Sequence, residues 1–296
     1  MRSIRIFSIN YFSSENIEKY IEILNRQTCV ANVSLYILDN SVDVNEALKI
    51  KKILAKFRNK NELNEIVYIE SPVNKGFGEG HNYLFELYSS SFCDDDILII
   101  SNNDIVIEDE SLLASLNNKI KSDVILSPQI LAGDSLDVWF GGAHIGSVSG
   151  FIKIHHSLLK ENLKESFYVP GTFMCMRAEL FNRLGGFDSS FFMYAEDLDL
   201  CIRARRIYNI KIQISNERIL HLIGSGFKAD YSELYLYEGT KNLLICMKRH
   251  KLGLYPISLL FYVFKFLFLR MVQLLVFEKK NKINKMYSVM RAFLNS

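Results

Sequence analysis

The sequence predicts an α/β fold with a mostly parallel central sheet flanked by helices and a C-terminal helical extension. Three observations carry this. Short apolar runs alternate with segments of helical periodicity through the first third of the chain, polar residues stand immediately after those runs, and the last part is helical and strongly apolar.

Ile4 to Ile9 reads as a first strand, and Ile17, Tyr20, Ile21 and Leu24 recur at helical spacing after it. Val33 to Leu38 is a second strand ending at Asp39-Asn40-Ser41, followed by a helix marked by Ile50, Ile53, Leu54 and Phe57. Ile66 to Ile69 is the third strand. A glycine-rich turn, NKGFGEGHN at 74–82, then feeds a helix through about Tyr88, and ILII at 97–100 is a strand ending in Ser101-Asn102-Asn103-Asp104. Repeats of this kind imply a parallel sheet with helices on its faces. In such sheets ligands bind beyond the carboxyl ends of the strands, where Asn10, Asp39, Asn74 and Asp104 stand.

After Asp104 the pattern is more mixed. Leu112, Leu113 and Leu116 mark a helix, Val124 to Leu126 a strand, and Val138 to Ile154 a glycine-punctuated hairpin around the single tryptophan, Trp139. Gly171 to Met176 reads as a strand leading to GGFDSSFFMYAEDLDLCIRARR at 185–206, with Glu196, Asp197 and Asp199 opening a helix. Asp199 and Arg203 have the spacing of a surface ion pair. Glu196 and Asp197 follow an aromatic run that places them at the edge of the core, where a carboxylate can act as a general base. Ile210 to Ile214 and Ile219 to Gly226 are further strands, the second carrying His221.

The domain organisation read from these elements is a main domain over about 1–230, with a ligand-binding half to about 108 and a second half from 109, then an extension over 231–296. Leu254 to Phe277 is almost wholly apolar but interrupted by Lys265 and Arg270, so its uncharged run falls short of a spanning helix. Ser258, Tyr262, Lys265 and Gln273 fall near one face, and Lys248, Arg249, Lys251, Lys279, Lys280, Lys282 and Lys285 flank the segment. That pattern suits a helix lying in the interface of an anionic membrane, with a dimer contact or a packing helix as the competing reading.

Composition narrows the function. A net charge of +2 with interspersed signs argues against a nucleic-acid surface, and small-molecule chemistry is the better expectation. Five scattered cysteines without a CxxC pair read as buried thiols of a reducing compartment. The N-terminus lacks a signal-peptide pattern, so the expected location is the cytoplasm.

Taken alone, each motif has a plainer explanation. Asn102-Asn103-Asp104 after a strand suits a hard cation with a diphosphate, or ordinary turn chemistry. His221 is a sound manganese ligand or a satisfied core histidine. Gly76-Phe77-Gly78-Glu79-Gly80 has the wrong spacing for a dinucleotide fingerprint and reads as a tight turn that brings Asn74 and Lys75 to a ligand. His81 reads as surface or helix-start polarity.

In combination and in order, LDNS (38–41), NKGFGEGHN (74–82), SNND (101–104), WFGGA (139–143), the 185–205 stretch and HLIGSG (221–226) resemble the family 2 glycosyltransferases of the GT-A fold, in particular the bacterial rhamnosyltransferase-like branch, over roughly residues 4 to 250. The resemblance implies that Asp39 and Asn74 hold a nucleotide with Asn10 and Tyr11 lining the base, and that Lys75, Asn102 and Asn103 belong to the same donor site. It implies that Asp104 binds a divalent cation (Mg2+ or Mn2+), with His221 as a second ligand. Asp197 would be the general base, Glu196 would position the acceptor, and Trp139 and Gly142 would border the acceptor site. The implied reaction is inverting transfer of a sugar from dTDP-L-rhamnose or a UDP-hexose to a surface-polysaccharide or lipid-linked glycan, at the cytoplasmic face of the inner membrane. Two positions depart from the pattern. Asn102 stands where Asp is frequent, which implies weaker metal affinity, and Lys241-Asn242 stands where Arg-Asn is common. A non-catalytic glycan-binding member of the fold is the alternative. A sugar nucleotidyltransferase would need a glycine- and arginine-rich loop where Asn10-Tyr11-Phe12-Ser13-Ser14 stands.

Overall fold

The computed structural model describes residues 2–28, 31–58, 62–133, 135–222, 232–278 and 280–296. Its first elements are β1 (Ile4–Asn10), α1 (Ser14–Asn25), β2 (Val33–Asp39), α2 (Val44–Phe57), β3 (Glu65–Glu70), α3 (Gly78–Tyr88) and β4 (Ile97–Ser101). Strands β1, β2, β3 and β4 are parallel, in the order β3-β2-β1-β4. Burial explains the composition: all five residues of β4 and all seven of β2 are buried, as a sheet covered on both faces requires.

The rest of the sheet is built differently. After β5 (Ile105–Val106) and α4 (Leu112–Lys119) come β6 (Val124–Ala132), β7 (Val138–Phe140), β8 (Ala143–Ile145), β9 (Ile152–Ile154), β10 (Leu163–Glu165), β11 (Phe173–Arg177), α5 (Ala178–Arg183), α6 (Glu196–Tyr208) and β12 (Lys211–His221). Strand β11 runs antiparallel between β4 and β6, so the sheet is parallel in its first half and mixed in its second. Trp139 lies on β7 against β6, while the hairpin proper is β8 with β9. The two strands expected around Ile212 and Ile219 are one strand, β12, with a register shift between Ile214 and Arg218 where it pairs β6. The part of HLIGSG beyond Leu222 lies outside the described residues.

The C-terminal helices are α7 (Glu233–His250), α8 (Ile257–Val263), a π-helical segment (Phe264–Leu269), α9 (Arg270–Phe277) and α10 (Lys282–Leu294). Residues Ile257–Val276 form a helix of 20 residues, long and apolar enough to cross a bilayer by length and composition, with only 11% of its most apolar window buried. Lys265 and Arg270 break the uncharged run, but the segment stays apolar enough on average to reach spanning length, and Lys265 lies against the Phe151 and Phe266 rings. Only part of the semipolar face turns inward, while Lys265 and Gln273 are exposed. Ser258 and Tyr262 are buried, and the Tyr262 hydroxyl donates to the Gly150 carbonyl at 2.9 Å. The outward face carries Leu260, Phe264, Phe268, Leu275 and Val276, all exposed. Several of the flanking basic residues are already engaged: Arg249 by Asp188, Lys248 by the Ser296 carbonyl and Lys285 by Glu278.

Other plain readings also change. The Asp199–Arg203 pair forms at 2.7 Å, but Asp199 is fully buried and also receives His250 Nε2 at 2.7 Å, so this is an interior lock between α6 and α7. His81 is fully buried under Phe77 and Phe187 rather than at the surface. Cys175, Cys201 and Cys246 are buried free thiols, whereas Cys93 is exposed; Cys29 lies outside the described residues.

Candidate active site

Strand order reverses at β1, which pairs β2 on one side and β4 on the other, and the loops after these strands meet there. Asn10 closes β1 and donates to Asp39 Oδ1 at 3.0 Å, while Asn103, just beyond β4, reaches Ser13 Oγ at 3.0 Å and Asn10 Oδ1 at 3.4 Å. Asp39 is held rigidly: Oδ1 also accepts the Ser41 N–H at 3.0 Å, and Oδ2 accepts the Tyr68 hydroxyl at 3.0 Å. Above this polar floor Tyr11 is exposed and stands edge-on to Phe12, presenting aromatic surface at the crevice.

Glu46 is the residue of this region that sequence reasoning missed. It is buried and accepts the Ser14 N–H at 2.8 Å, where it caps the exposed dipole of α1, and the Ser14 hydroxyl at 3.1 Å. The signal lay in α2, where a glutamate three residues after Asp43 sits on the helix face that turns inward.

A second cluster lies one loop away. Strands β5 and β12 pair antiparallel with His221 opposite Ile105, which brings His221 Nε2 to 3.1 Å from Asp104 Oδ1. The Asn102 amide lies 3.3 Å from the same nitrogen. Burial pushes the Asp104 carboxyl up, but the His221 contact outweighs it and holds the group below the usual carboxylate range. Apart from the His221 contact Asp104 Oδ1 has no hydrogen-bond partner, and His221 Nδ1, on the other side of the ring, is buried without one. Ligands about 2.1 Å from one octahedral ion stand about 3 Å apart, so the Asp104 Oδ1–His221 Nε2 spacing fits a small divalent cation. Among the described residues no set of three or more His, Cys, Asp or Glu side chains converges on a metal position, so a cation here would complete its shell with other oxygens. The Trp139 ring meets His221 edge-on at 5.5 Å, and Gly142 takes φ +110° in the turn beyond β7.

The carboxylates of α6 reach this cluster through one loop. Asp197 Oδ2 accepts the Gly171 N–H at 3.1 Å, and the neighbouring Thr172 carbonyl accepts the Asn102 N–H at 3.0 Å. Asp197 Oδ1 accepts the Leu198 N–H at 2.7 Å. Glu196 is buried, and its Oε2 has no partner. Burial raises the pKa of both groups. The charge of Asp197 raises Glu196 further, to well above the usual range, while the amides of Gly171 and Leu198 restrain the rise at Asp197. Adjacent and buried together, the two titrate as a pair, both above the ordinary carboxylate range. A buried carboxylate whose pKa is raised, held by two backbone amides beside a second carboxyl, suits a general base.

The glycine-rich loop closes this side. Asn74 Oδ1 accepts the Gly76 N–H at 2.9 Å, and Lys75 Nζ lies 4.4 Å from the centre of the Tyr83 ring. Gly76 has φ +75°, and a Cβ there would stand 2.1 Å from the Phe192 carbonyl oxygen. A Cβ on Gly171 would stand 2.7 Å from the Phe77 ring, so loop, strand end and α6 meet too closely for side chains.

No family model matches the chain. It is 27% identical over 217 residues to the rhamnosyltransferase WbbL of Escherichia coli K12, covering 67% of this chain and 75% of that protein. It is likewise 27% identical over 205 residues to the low-salt glycan biosynthesis hexosyltransferase Agl10 of Haloferax volcanii, covering 68% of this chain and 61%, less than two thirds, of the relative. Among solved structures it superimposes on GalNAc-T7, crystallised with UDP, GalNAc and Mn2+, with a TM-score of 0.66 at 12% identity, over 97% of this chain and about half (54%) of that one. The structural likeness shows the fold and the curated relatives show the activity class: the chain is a glycosyltransferase of the GT-A fold.

Proposed function

We propose that this protein is an inverting, cation-assisted glycosyltransferase that moves a sugar from a nucleotide-sugar donor to a hydroxyl of a glycan acceptor. The observation that carries this is the path Asp197–Gly171–Thr172–Asn102–His221–Asp104, which sets a candidate base within one loop of a candidate cation site.

The donor's base and ribose lie in the crevice between β1 and β4, against Tyr11 and the Asn10–Asp39–Asn103 network, with Asn74 and Lys75 at its edge. Asp104 and His221, with the Asn102 amide alongside, would hold the Mg2+ or Mn2+, whose charge offsets that of the departing diphosphate. Asp197 takes the proton of the acceptor hydroxyl as that oxygen attacks the anomeric carbon from the face opposite the leaving group, and the configuration inverts. Glu196, beside Asp197, positions the acceptor, and Trp139 offers a ring face to a sugar beside Gly142. The similarity to a rhamnosyltransferase favours dTDP-L-rhamnose as donor; UDP-hexoses are the second choice, in line with the UDP bound by GalNAc-T7.

The acceptor reading is a lipid-linked or surface glycan, met at the cytoplasmic face of a membrane. The outward apolar face of Ile257–Val276 supports this. The helix lies flat rather than crossing: α9 and α10 share a small core with α7 through Leu236, Leu274 and Val289. Crossing would draw the charges of α7 and α10 into hydrocarbon at about 2.5–3.5 kcal/mol each.

A thermal-shift panel of nucleotide sugars with Mn2+, followed by turnover assays, tests the reading; a donor that binds the folded state raises its Tm. Stabilisation by a donor together with slow donor hydrolysis is expected. Silence with every donor favours a non-catalytic glycan-binding member of the fold. Co-sedimentation with anionic vesicles tests the membrane contact. Phe264→Glu with Phe268→Glu is expected to abolish it, whereas a concentration-dependent dimer with no vesicle binding assigns the face to a second copy.

A further inference from the structure

The carboxylate pair stands on a backbone turn that its own residues do not favour. Tyr194 and Ala195, immediately ahead of α6, have φ of +67° and +71°, and Ala195 forms the helix N-terminus in the left-handed conformation without a side-chain cap. Residues with a Cβ resist this region, and consecutive ones persist there only when their surroundings fix them.

The turn is pinned on both sides. On one, the Phe192 carbonyl accepts the Phe77 N–H at 2.9 Å from the glycine-rich loop. On the other, Asn242 of α7, fully buried, donates through Nδ2 to the Met193 carbonyl at 2.8 Å and to Glu238 Oε2 at 3.1 Å. Both neighbours are acceptors, so only a side chain with two protons on one atom satisfies them; the amide orientation follows from the network. Asn242 Oδ1 is left buried without a partner, so the residue gives up one hydrogen bond to place its donors there. Lys241, next to it, is paired with the same Glu238 oxygen at 2.8 Å and holds the acceptor carboxylate in position.

We propose that Asn242 is a positioning residue: it holds the Met193 carbonyl, and with it the left-handed Tyr194–Ala195 turn, so that Glu196 and Asp197 enter α6 at the angle the transfer reaction needs. If the turn relaxed to negative φ, the first helical turn would rotate, and the Asp197 carboxylate would leave the Gly171 amide. The proposal rests on the transferase reading above for its kinetic consequence, but its structural claim is independent of that reading.

The test compares Asn242→Ala, Asn242→Asp and the double variant Asn242→Ala with Ala195→Gly, in which glycine adopts the positive φ without resistance. In steady-state assays Asn242→Ala is expected to lower kcat about a hundredfold with donor KM unchanged, as a misplaced catalytic group does. Asn242→Asp, which sets a carboxylate against two acceptors, is expected to lower it further, and the double variant to recover most of the loss. An Asn242→Ala enzyme with intact kcat, or one whose loss the glycine does not restore, overturns the proposal and leaves Asn242 as α7 packing. If the wild type turns over no donor, the transferase reading fails instead, and the same variants are read by carbon-13 NMR of the Glu196 and Asp197 carboxyls. Displaced carboxyl titration in Asn242→Ala that returns in the double variant supports positioning, and identical titrations in all variants refute it.

Discussion

His221 Nε2 lies 3.1 Å from Asp104 Oδ1 because β5 and β12 pair in a register that sets His221 opposite Ile105, with the Leu222 N–H donating to the Asp104 carbonyl at 2.8 Å. The contact is therefore fixed by backbone pairing, and it holds whichever way the Asn102 amide beside it turns.

From this spacing, His221→Ala and Asp104→Ala should each weaken Mn2+ binding at least about tenfold, since each removes one of few protein ligands. Asn102→Asp should strengthen it by adding a carboxylate to the same cluster. Mn2+ titration by electron paramagnetic resonance, with nucleoside diphosphate present, reads this directly. Equal affinities across the variants would remove the cluster from metal binding.

Glu196 gives a prediction about pH and stability. Its folded pKa is raised, by burial first and by Asp197 second, above the value it has in the unfolded chain. Its favourable contribution is therefore complete below the ordinary carboxylate range and is lost as pH rises through the raised value. Glu196→Gln should stabilise the protein on the alkaline side of that window by about 1–3 kcal/mol, and have little effect at acid pH. Urea melts at acid and alkaline pH decide it; a uniform effect at both would contradict the assignment.

Asp199 behaves in the opposite sense. Burial pushes its pKa up, but hydrogen bonds from His250 and Arg203 outweigh this and hold it below the usual range. The stability it confers is present above the unfolded value and is lost as pH falls through the lower folded one. Asp199→Asn takes the counter-charge from Arg203, which keeps the Leu184 and Gly186 carbonyls, and from His250, and should cost about 3–5 kcal/mol at neutral pH. Denaturant unfolding measures it, and a cost under about 1 kcal/mol would mark the pair as surface-like.

Gly76→Ala should be severe, because both the positive φ and the Phe192 carbonyl oppose a Cβ there. A loss of roughly 2 kcal/mol or more, with donor binding impaired, is expected. A neutral substitution would mean the loop is free to move away from Phe192.

The first half of the fold was legible because β1, β2 and β4 are buried on both faces, β3 is an apolar run at the sheet edge, and amphipathic helices separate them, so apolar runs and periodicity mark the elements from Ile4 to Ser101. The sequence marks the candidate site by polar residues standing at or just beyond strand ends, and in the structure two of them, Asn10 and Asp39, are buried and hydrogen-bonded to each other. Three-dimensional placement was not legible. Asp199 and Arg203 show the same spacing whether exposed or buried, and only the packing of His250 from α7 decides between the two. His81 is covered by Phe77 and Phe187, and Phe187 comes from a distant segment. For Glu46 the sequence offers only its place three residues after Asp43, and its main partners, the Ser14 amide and hydroxyl, come from another helix. The left-handed pair before Glu196 contains no glycine, the residue that would have marked it.

The most direct test is Asp197→Asn in a transfer assay run beside donor-binding calorimetry. Loss of transfer by about 10²–10⁴-fold, with donor affinity and Mn2+ dependence unchanged, is the predicted result for a base that acts only on the acceptor hydroxyl. Transfer at the wild-type rate with Asn at position 197 would contradict it.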